Sequence, residues 1–349
     1  MSERRNSRVS GQANKRRKRK KIIFIIELLV LLLLALGLFV WAKLDKMQKL
    51  DINKKDIIIN EEISPMLSGY TNIALYGVDS REGKMDIEAH SDALMIISIN
   101  NKTKDMKLVS VYRDTYLDNT NGEYRKATEC YYFGGPKRSI NMLNKNLDLN
   151  ISDFVTVDFN VMADIVERMG GLEIDVKPEE VQWVNGYQEE GSLVTGREIV
   201  PVTQSGLQTL NGLQTLSYCR FRATAGSDFS RTQRQREVLE KLLQKAKTMD
   251  LITLNSIIDQ VFPKVLTSLS ATEMLGLAKD VGAYNLIETK GFPFELVPYD
   301  VGGSDCLVPV SLANNVTELH HWLFGSEGYT PSATVREISD TIINNTGVQ

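Results

Sequence analysis

The feature that most constrains this chain is an apolar run of twenty residues, Ile22 to Trp41, set directly behind a basic tail. At about 1.5 Å per residue it makes a helix of roughly 30 Å, the thickness of a bilayer's hydrocarbon core. Residues 1–21 carry ten Lys and Arg against one acid, Glu3, whereas the far flank holds Lys43 and Lys46 nearby. The positive-inside rule therefore places the N-terminus in the cytoplasm and the rest of the chain beyond the membrane. A cleaved signal peptide has a shorter apolar core, about 7 to 15 residues, before a small-x-small site. Here the core ends in Trp41-Ala42-Lys43, so an uncleaved single-pass anchor over residues 22–42 is expected. Glu27 is costly inside such a segment, and its place near the cytoplasmic end brings its carboxylate within reach of the headgroups.

The net charge of −3 pools two different objects: removing the +9 of residues 1–21 leaves −12 for the remainder. A basic arm can serve nucleic acid, but one placed hard against a membrane span serves topology and anionic lipid. An exported domain has no direct route to DNA, so no nucleic-acid partner is expected. The three cysteines, Cys130, Cys219 and Cys306, form no CxxC and rule out a disulfide framework, leaving one bridge open.

Residues 43–67 are polar and mixed in charge and read as an extracytoplasmic stalk. From residue 68 to 325, short apolar runs alternate with helical patterns, the signature of an α/β domain. Strands are expected over Asn72–Tyr76, Ala93–Ile99 and Lys107–Tyr112, the last two joined as a hairpin through the turn-rich Asn100–Asp105. Helices are expected over Pro136–Leu147, Val161–Met169 and Ser230–Met249, the last with Val238, Leu239, Leu242, Leu243 and Ala246 as its apolar stripe. Leu216–Phe221 reads as a further strand, and another falls near Leu296–Pro298. Residues 326–349 are polar and read as a poorly ordered tail.

Several chemistries are absent by motif: no GxxxxGK[ST] loop, HExxH, GxSxG or Cys/His zinc pattern occurs. His320 and His321 sit among Leu319, Trp322 and Leu323 and read as structural. What stands out is acids and arginines at the ends of buried strands. Asp79 and Arg81 follow the first strand, Asp92 precedes the second, and Arg113 follows the third. In a hairpin the start of one strand and the end of its partner meet at one sheet edge. Asp79 joins them there if the first strand runs parallel to the third, and strand-end clefts are common ligand sites. Arg220 and Arg222, two apart on the expected strand, would share a face. Arg231, Arg234 and Gln235 share a face in the first turns of the long helix, where guanidinium forks add to a helix N-terminus that already favours anions. Two carboxylates beside several arginines suit a divalent metal holding a pyrophosphate.

At these residues the chain resembles the LytR-CpsA-Psr family of cell-envelope proteins. The matching pieces are Gly77-Val78-Asp79-Ser80-Arg81, Ser91-Asp92, Arg113-Asp114-Thr115, Gly134-Gly135-Pro136 and Met169-Gly170-Gly171. Later come Leu210-Asn211-Gly212, Arg220-Phe221-Arg222 and Asp228 through Gln235, all in the family's order. The resemblance implies a three-layer α-β-α domain around a central mixed sheet. It also implies an extracytoplasmic transferase that moves an anionic glycopolymer, of wall teichoic acid or capsule type, from a polyprenyl-pyrophosphate carrier to peptidoglycan. Carried over, Asp79 and Asp92 would hold Mg²⁺ (or Mn²⁺). Arg81, Arg113, Arg220, Arg222, Arg231 and Gln235 would bind the pyrophosphate, with Arg113 and Asp92 as the catalytic pair and the lipid tail in an apolar tunnel. Two positions depart from the pattern. His90 stands where the family often has Arg, and Lys126-Ala127-Thr128-Glu129-Cys130-Tyr131 replaces its common Lys-Ile-Asn-x-Ala-Tyr. A lipid-binding regulator and a pyrophosphatase using water as acceptor are the competing readings.

Overall fold

The computed structural model describes residues 48–80, 84–222 and 227–349. The basic tail, the apolar run and Arg81 lie outside the described residues, among which no helix is long and apolar enough to cross a membrane.

Seven strands build a mixed central sheet: β1 (Gln48–Lys49), β2 (Tyr70–Asp79), β3 (His90–Asn100), β4 (Asp105–Val111), β7 (Asp153–Asp158), β10 (Leu266–Thr267) and β11 (Asn285–Phe292). Their order is β1-β10-β7-β2-β3-β4-β11. Three two-stranded ribbons complete the strands: β5 (Tyr116–Asp118) with β6 (Tyr124–Lys126), β8 (Leu172–Val176) with β9 (Gly206–Leu210), and β12 (Leu296–Val301) with β13 (Ser304–Pro309). The helices are α1 (Ala127–Leu147), α2 (Phe159–Arg168), α3 (Val181–Thr195), α4 (Gly212–Arg220), α5 (Ser227–Thr248), α6 (Leu251–Val261), α7 (Ala271–Lys279), α8 (Leu312–Phe324) and α9 (Ala333–Thr346).

The expected hairpin forms between β3 and β4, and β2 also pairs antiparallel with β3, so β2 and β4 run the same way. Alternation along these strands divides their side chains between two faces. On one face Ala74, Tyr76, Val78, Leu94, Ile96, Val109 and Phe154 pack against Ile140, Met142, Leu143 and Leu147 of α1, backed by α8 and α9. The opposite face is covered by α2, against β7 and β2, and by α5, against β4 and β11. Pro136 restarts α1 after a break at Gly134 and Gly135, whose φ of +64° at Gly135 favours a residue without a Cβ. Gly171 (φ +82°) ends the turn after α2, and a Cβ there would lie 2.7 Å from the Leu210 carbonyl oxygen, so only glycine lets β8 meet β9 this closely.

Three expectations are corrected. Leu216–Phe221 is not a strand but the end of α4, which Asn211 caps by accepting from the Gln214 N–H while the Gln214 side chain accepts from the Asn211 N–H. This reciprocal box satisfies two otherwise orphaned donors and overrides a short apolar run that strand and helix can both explain. Residues 48–67 of the expected stalk join the domain. There, β1 pairs with β10, Ile57, Ile63 and Leu67 are buried, and Lys54 bridges Asp153 and Glu273. The C-terminal stretch is ordered: Ser332 caps α9, and Val335, Ile338 and Ile342 enter the core at helical spacing. All three cysteines are free and buried. Burial pushes the Cys130 and Cys219 thiols up to about 12, which makes them inert.

Candidate active site

The β2–β3 register carries the site. Gly77 pairs with Ala93 but Val78 pairs with Ser91, so Asp92 is the extra residue of a β-bulge. Bulges bend a strand and re-aim a side chain at its end. Asp92 thereby meets Arg113, which follows β4 at the same edge: Arg113 Nη1 donates to Asp92 Oδ1 at 2.5 Å. Asp79, the last residue of β2, pairs across the ladder with His90. The sheet thus brings Asp79, Asp92 and Arg113 to one edge, as the expected topology requires.

Arg113 is held from behind. Its carbonyl accepts from the Thr128 N–H at 3.0 Å, and the Thr128 hydroxyl donates to the Ser91 carbonyl at 2.8 Å. One threonine at the start of α1 therefore fixes the backbone beside both members of the pair. The sequence reading missed this role, because Thr128 entered it solely as a departure from an asparagine pattern.

Between the second sheet face and its helices lies a cavity of about 430 Å³. Its floor is apolar: Leu75, Ala93, Met95, Val155 and Val157 from the sheet, Met162 and Ile165 from α2, and Val238, Leu239 and Leu242 from α5. Its polar wall holds Asp92, Arg220, Arg222, Arg231 and Gln235. Arg231 is 3% exposed and meets Asp228 Oδ1 at 2.6 Å. Burial lowers its pKa, and the charges of Arg222 and Arg113 push the same way against the pull of Asp228 and Asp92. Arg220 lies 4.3 Å over the Phe159 ring and reaches Glu190 at 3.0 Å. Arg222 is half exposed, with Nε 3.9 Å from Asp228.

The guanidinium groups are under-satisfied. Arg113 Nε, Arg220 Nη1 and Arg231 Nε are buried without a hydrogen-bond acceptor, as is Asp79 Oδ1 without a donor. Buried donors left unmet cost about 1–3 kcal/mol each, and two of these arginines, Arg220 and Arg231, line the cavity, where an anion's oxygens could meet them. Among the described residues no cluster of three or more His, Cys, Asp or Glu can hold a metal. A divalent ion here would rest on the unpartnered Asp79 oxygen and on Asp92, drawing its remaining ligands from phosphate and water.

Two expected placements change. Arg220 and Arg222 reach the site from the last turn of α4 and the residue beyond Phe221, not from alternate positions on a strand. Arg234 points away into the core. It donates to the carbonyls of Tyr218 and Phe221, lies 3.5 Å over the Phe221 ring and approaches Glu180 at 3.6 Å.

Fold and site together define a mixed-sheet α/β protein with a bulge-positioned acid–arginine pair whose acid, Asp92, lines a largely apolar cavity. The LytR_cpsA_psr family model matches residues 39–314, and the chain belongs to that family. It is 28% identical over 274 residues to the polyisoprenyl-teichoic acid–peptidoglycan teichoic acid transferase TagT of Bacillus subtilis (strain 168), spanning 76% of this chain and 81% of that protein. With the corresponding transferase TagU of Halalkalibacterium halodurans it shares 30% identity over 70% of this chain and 74% of that one. Its fold matches TagT bound to LI-WTA (TM-score 0.56, 22% identity, 85% and 97% covered). It also matches TagT with bound octaprenyl pyrophosphate lipid (TM-score 0.53, 20% identity, 85% and 97% covered).

Proposed function

We propose that this protein transfers a glycopolymer from a polyprenyl-pyrophosphate carrier to peptidoglycan, as its relatives' names describe for them. One observation carries the reading: buried guanidinium N–H groups of Arg220 and Arg231 without acceptors line a largely apolar cavity. That pairing of an anion cradle with a dry hollow suits an amphiphile whose head is a pyrophosphate and whose tail is a hydrocarbon. Neither a soluble sugar phosphate nor a neutral lipid would use both halves.

In the reaction a hydroxyl of a peptidoglycan sugar attacks the phosphorus that bears the glycan. A new P–O bond forms, the pyrophosphate's bridging P–O bond breaks, and polyprenyl phosphate leaves, while the hydroxyl proton passes to solvent. Arg113, held by Asp92 and backed by Thr128, is set to stabilise charge on the reacting phosphate. Arg220, Arg222, Arg231 and Gln235 hold the pyrophosphate, and Arg81 joins them by the family pattern. Mg²⁺ (or Mn²⁺) on Asp79 and Asp92 would offset charge on the phosphate oxygens. The anchor over residues 22–42, with a cytoplasmic N-terminus, keeps the domain on the outer membrane face where carrier and peptidoglycan meet.

The test uses full-length protein in detergent with a labelled polyprenyl-pyrophosphate glycan, peptidoglycan fragments and Mg²⁺. Label reaching peptidoglycan supports transfer. Release of the glycan phosphate into solution replaces it with a pyrophosphatase, and tight binding without turnover replaces it with a lipid-binding regulator.

A further inference from the structure

Away from the cavity's lining, starting at the end of the β2–β3 ladder, lies a group of aromatic rings in which His90 and Phe133 are exposed and Tyr132 is half-buried. His90 is the ladder partner of Asp79. Its imidazole stacks on Tyr132, with centroids 4.6 Å apart and planes 20° from parallel. Tyr132 meets Phe133 edge-on at 5.3 Å, and Phe133 is 51% exposed. The Arg125 guanidinium lies 5.7 Å over the Phe133 ring and 3.6 Å from Glu129. Ile87 is 52% exposed beside the break in α1: a Cβ on Gly135 would lie 3.5 Å from Ile87 Cγ1. The rings are held in place. Tyr132 accepts at its carbonyl from the Glu88 N–H, and Tyr131 donates to the Met85 carbonyl at 2.5 Å, so the segment before β3 is strapped to α1.

Exposed large apolar groups that cluster and are rimmed by charge mark binding surfaces. The make-up here, flat rings with an arginine and a carboxylate at the margin, fits a pyranose. A sugar ring offers a face of C–H groups to the negative face of an aromatic ring and turns its hydroxyls outward to polar partners. We infer that His90, Tyr132 and Phe133 form a shelf for the first sugar rings of the donor glycan. The commitment to the donor comes from continuity. The shelf begins at His90, the ladder partner of Asp79; the proposed function sets Asp79 toward the metal and pyrophosphate, and the donor's first sugar is bonded to that pyrophosphate. This inference rests on the proposed function.

The experiment measures binding of two lipids to full-length protein, geranylgeranyl pyrophosphate and the same lipid bearing an N-acetylhexosamine disaccharide on its terminal phosphate. The parent is expected to hold the glycosylated lipid more tightly. In Phe133→Ala with His90→Ala that gap closes by about tenfold, or 1.4 kcal/mol, whereas Phe133→Trp, which keeps a ring, retains it. A parent that binds both lipids equally, or variants that keep the full gap, overturns the shelf and leaves the pyrophosphate site standing. Variants that keep the gap but raise the KM for peptidoglycan fragments overturn the donor assignment in favour of the acceptor. A parent that binds neither lipid overturns the proposed function and the shelf together.

Discussion

The two faces of the central sheet are cut from the same strands and end in opposite states. Toward α1, Tyr76 packs on Tyr131 at 4.7 Å and on Phe154 at 6.4 Å, and α8 and α9 close the layer behind them. Toward α2 and α5, the alternate residues Leu75, Met95, Val155 and Val157 line about 430 Å³ of hollow, with unmet guanidinium donors of Arg220 and Arg231 in its wall. A close-packed face returns the full stabilisation of burial. A hollow face forgoes dispersion contacts and keeps room for a ligand. Stability and function have been assigned to opposite sides of one sheet.

The largest effects should separate along that division. Phe154→Ala removes a fully buried ring from the filled face and should cost about 3–5 kcal/mol in urea unfolding, with turnover per folded molecule unchanged. Arg113→Ala should do the reverse. Loss of a preorganised donor lowers kcat by about 10²–10³, while the melting temperature stays close to the parent's because the side chain supports no core packing. Equal losses of stability in the two variants, or full turnover in Arg113→Ala, would erase the contrast.

The filled face also holds the titration to watch. His320 Nε2 donates to the Leu147 carbonyl at 2.9 Å, and the ring stacks on Tyr329 at 3.7 Å. Burial pushes its pKa down to about 4 from 6.5. Between those values the unfolded chain binds a proton that the folded one refuses, so stability rises with pH there. The contribution is complete above about pH 6.5 and is lost as pH falls to about 4, roughly 3 kcal/mol in all. Unfolding free energies measured from pH 4 to 7 should show this slope in the parent and lose it in His320→Gln, which keeps a donor for Leu147. An unchanged slope in the variant would move the effect to another group.

Filling the hollow sharpens the comparison further. Met162→Trp puts a larger side chain into the cavity and should weaken binding of a long polyprenyl pyrophosphate by about tenfold, with stability lowered by no more than about 1–3 kcal/mol. Undiminished lipid binding would mean that the tail lies elsewhere.

Much of this was legible in the sequence. Apolar runs broken by Asn100–Asp105 gave the β3–β4 hairpin, which by itself brings Asp92 and Arg113 together, whereas Asp79 joined them only on the condition, met here, that β2 runs parallel to β4. The α4 helix was misread although its signal was present: Asn211 followed three residues later by Gln214 is a capping box, a stronger cue than the short apolar run after it. Val335, Ile338 and Ile342 at helical spacing likewise announced α9 within a stretch that polar composition marked as disordered. The cavity was hidden for a physical reason. Alternation shows which residues leave the solvent, not whether the space they enter is filled. Arg231 and Arg234, three apart on one helix, were equally opaque, since their fates depend on whether carbonyls or open space lie opposite.

Thr128 gives the smallest and most discriminating test, because it sits where the two faces meet. It belongs to α1, the helix of the filled face, yet its hydroxyl and N–H fasten Ser91 and Arg113 on the reactive edge. Thr128→Val keeps the shape and the N–H bond to Arg113 but strips the hydroxyl from the Ser91 carbonyl. The lost hydrogen bond should cost about 1 kcal/mol, more if the carbonyl stays unpaired. A purely structural threonine would show that cost alone. A threonine that sets the bulge would also let Asp92 drift from Arg113, and displacement of a reacting group by about 1 Å can lower turnover by up to about a hundredfold. A kcat that falls much further than the stability change warrants, with the KM for the lipid nearly constant, would show that the packed face holds the hollow one in register. A kcat unchanged at the same stability loss would confine Thr128 to packing and leave the bulge to hold Asp92 by itself.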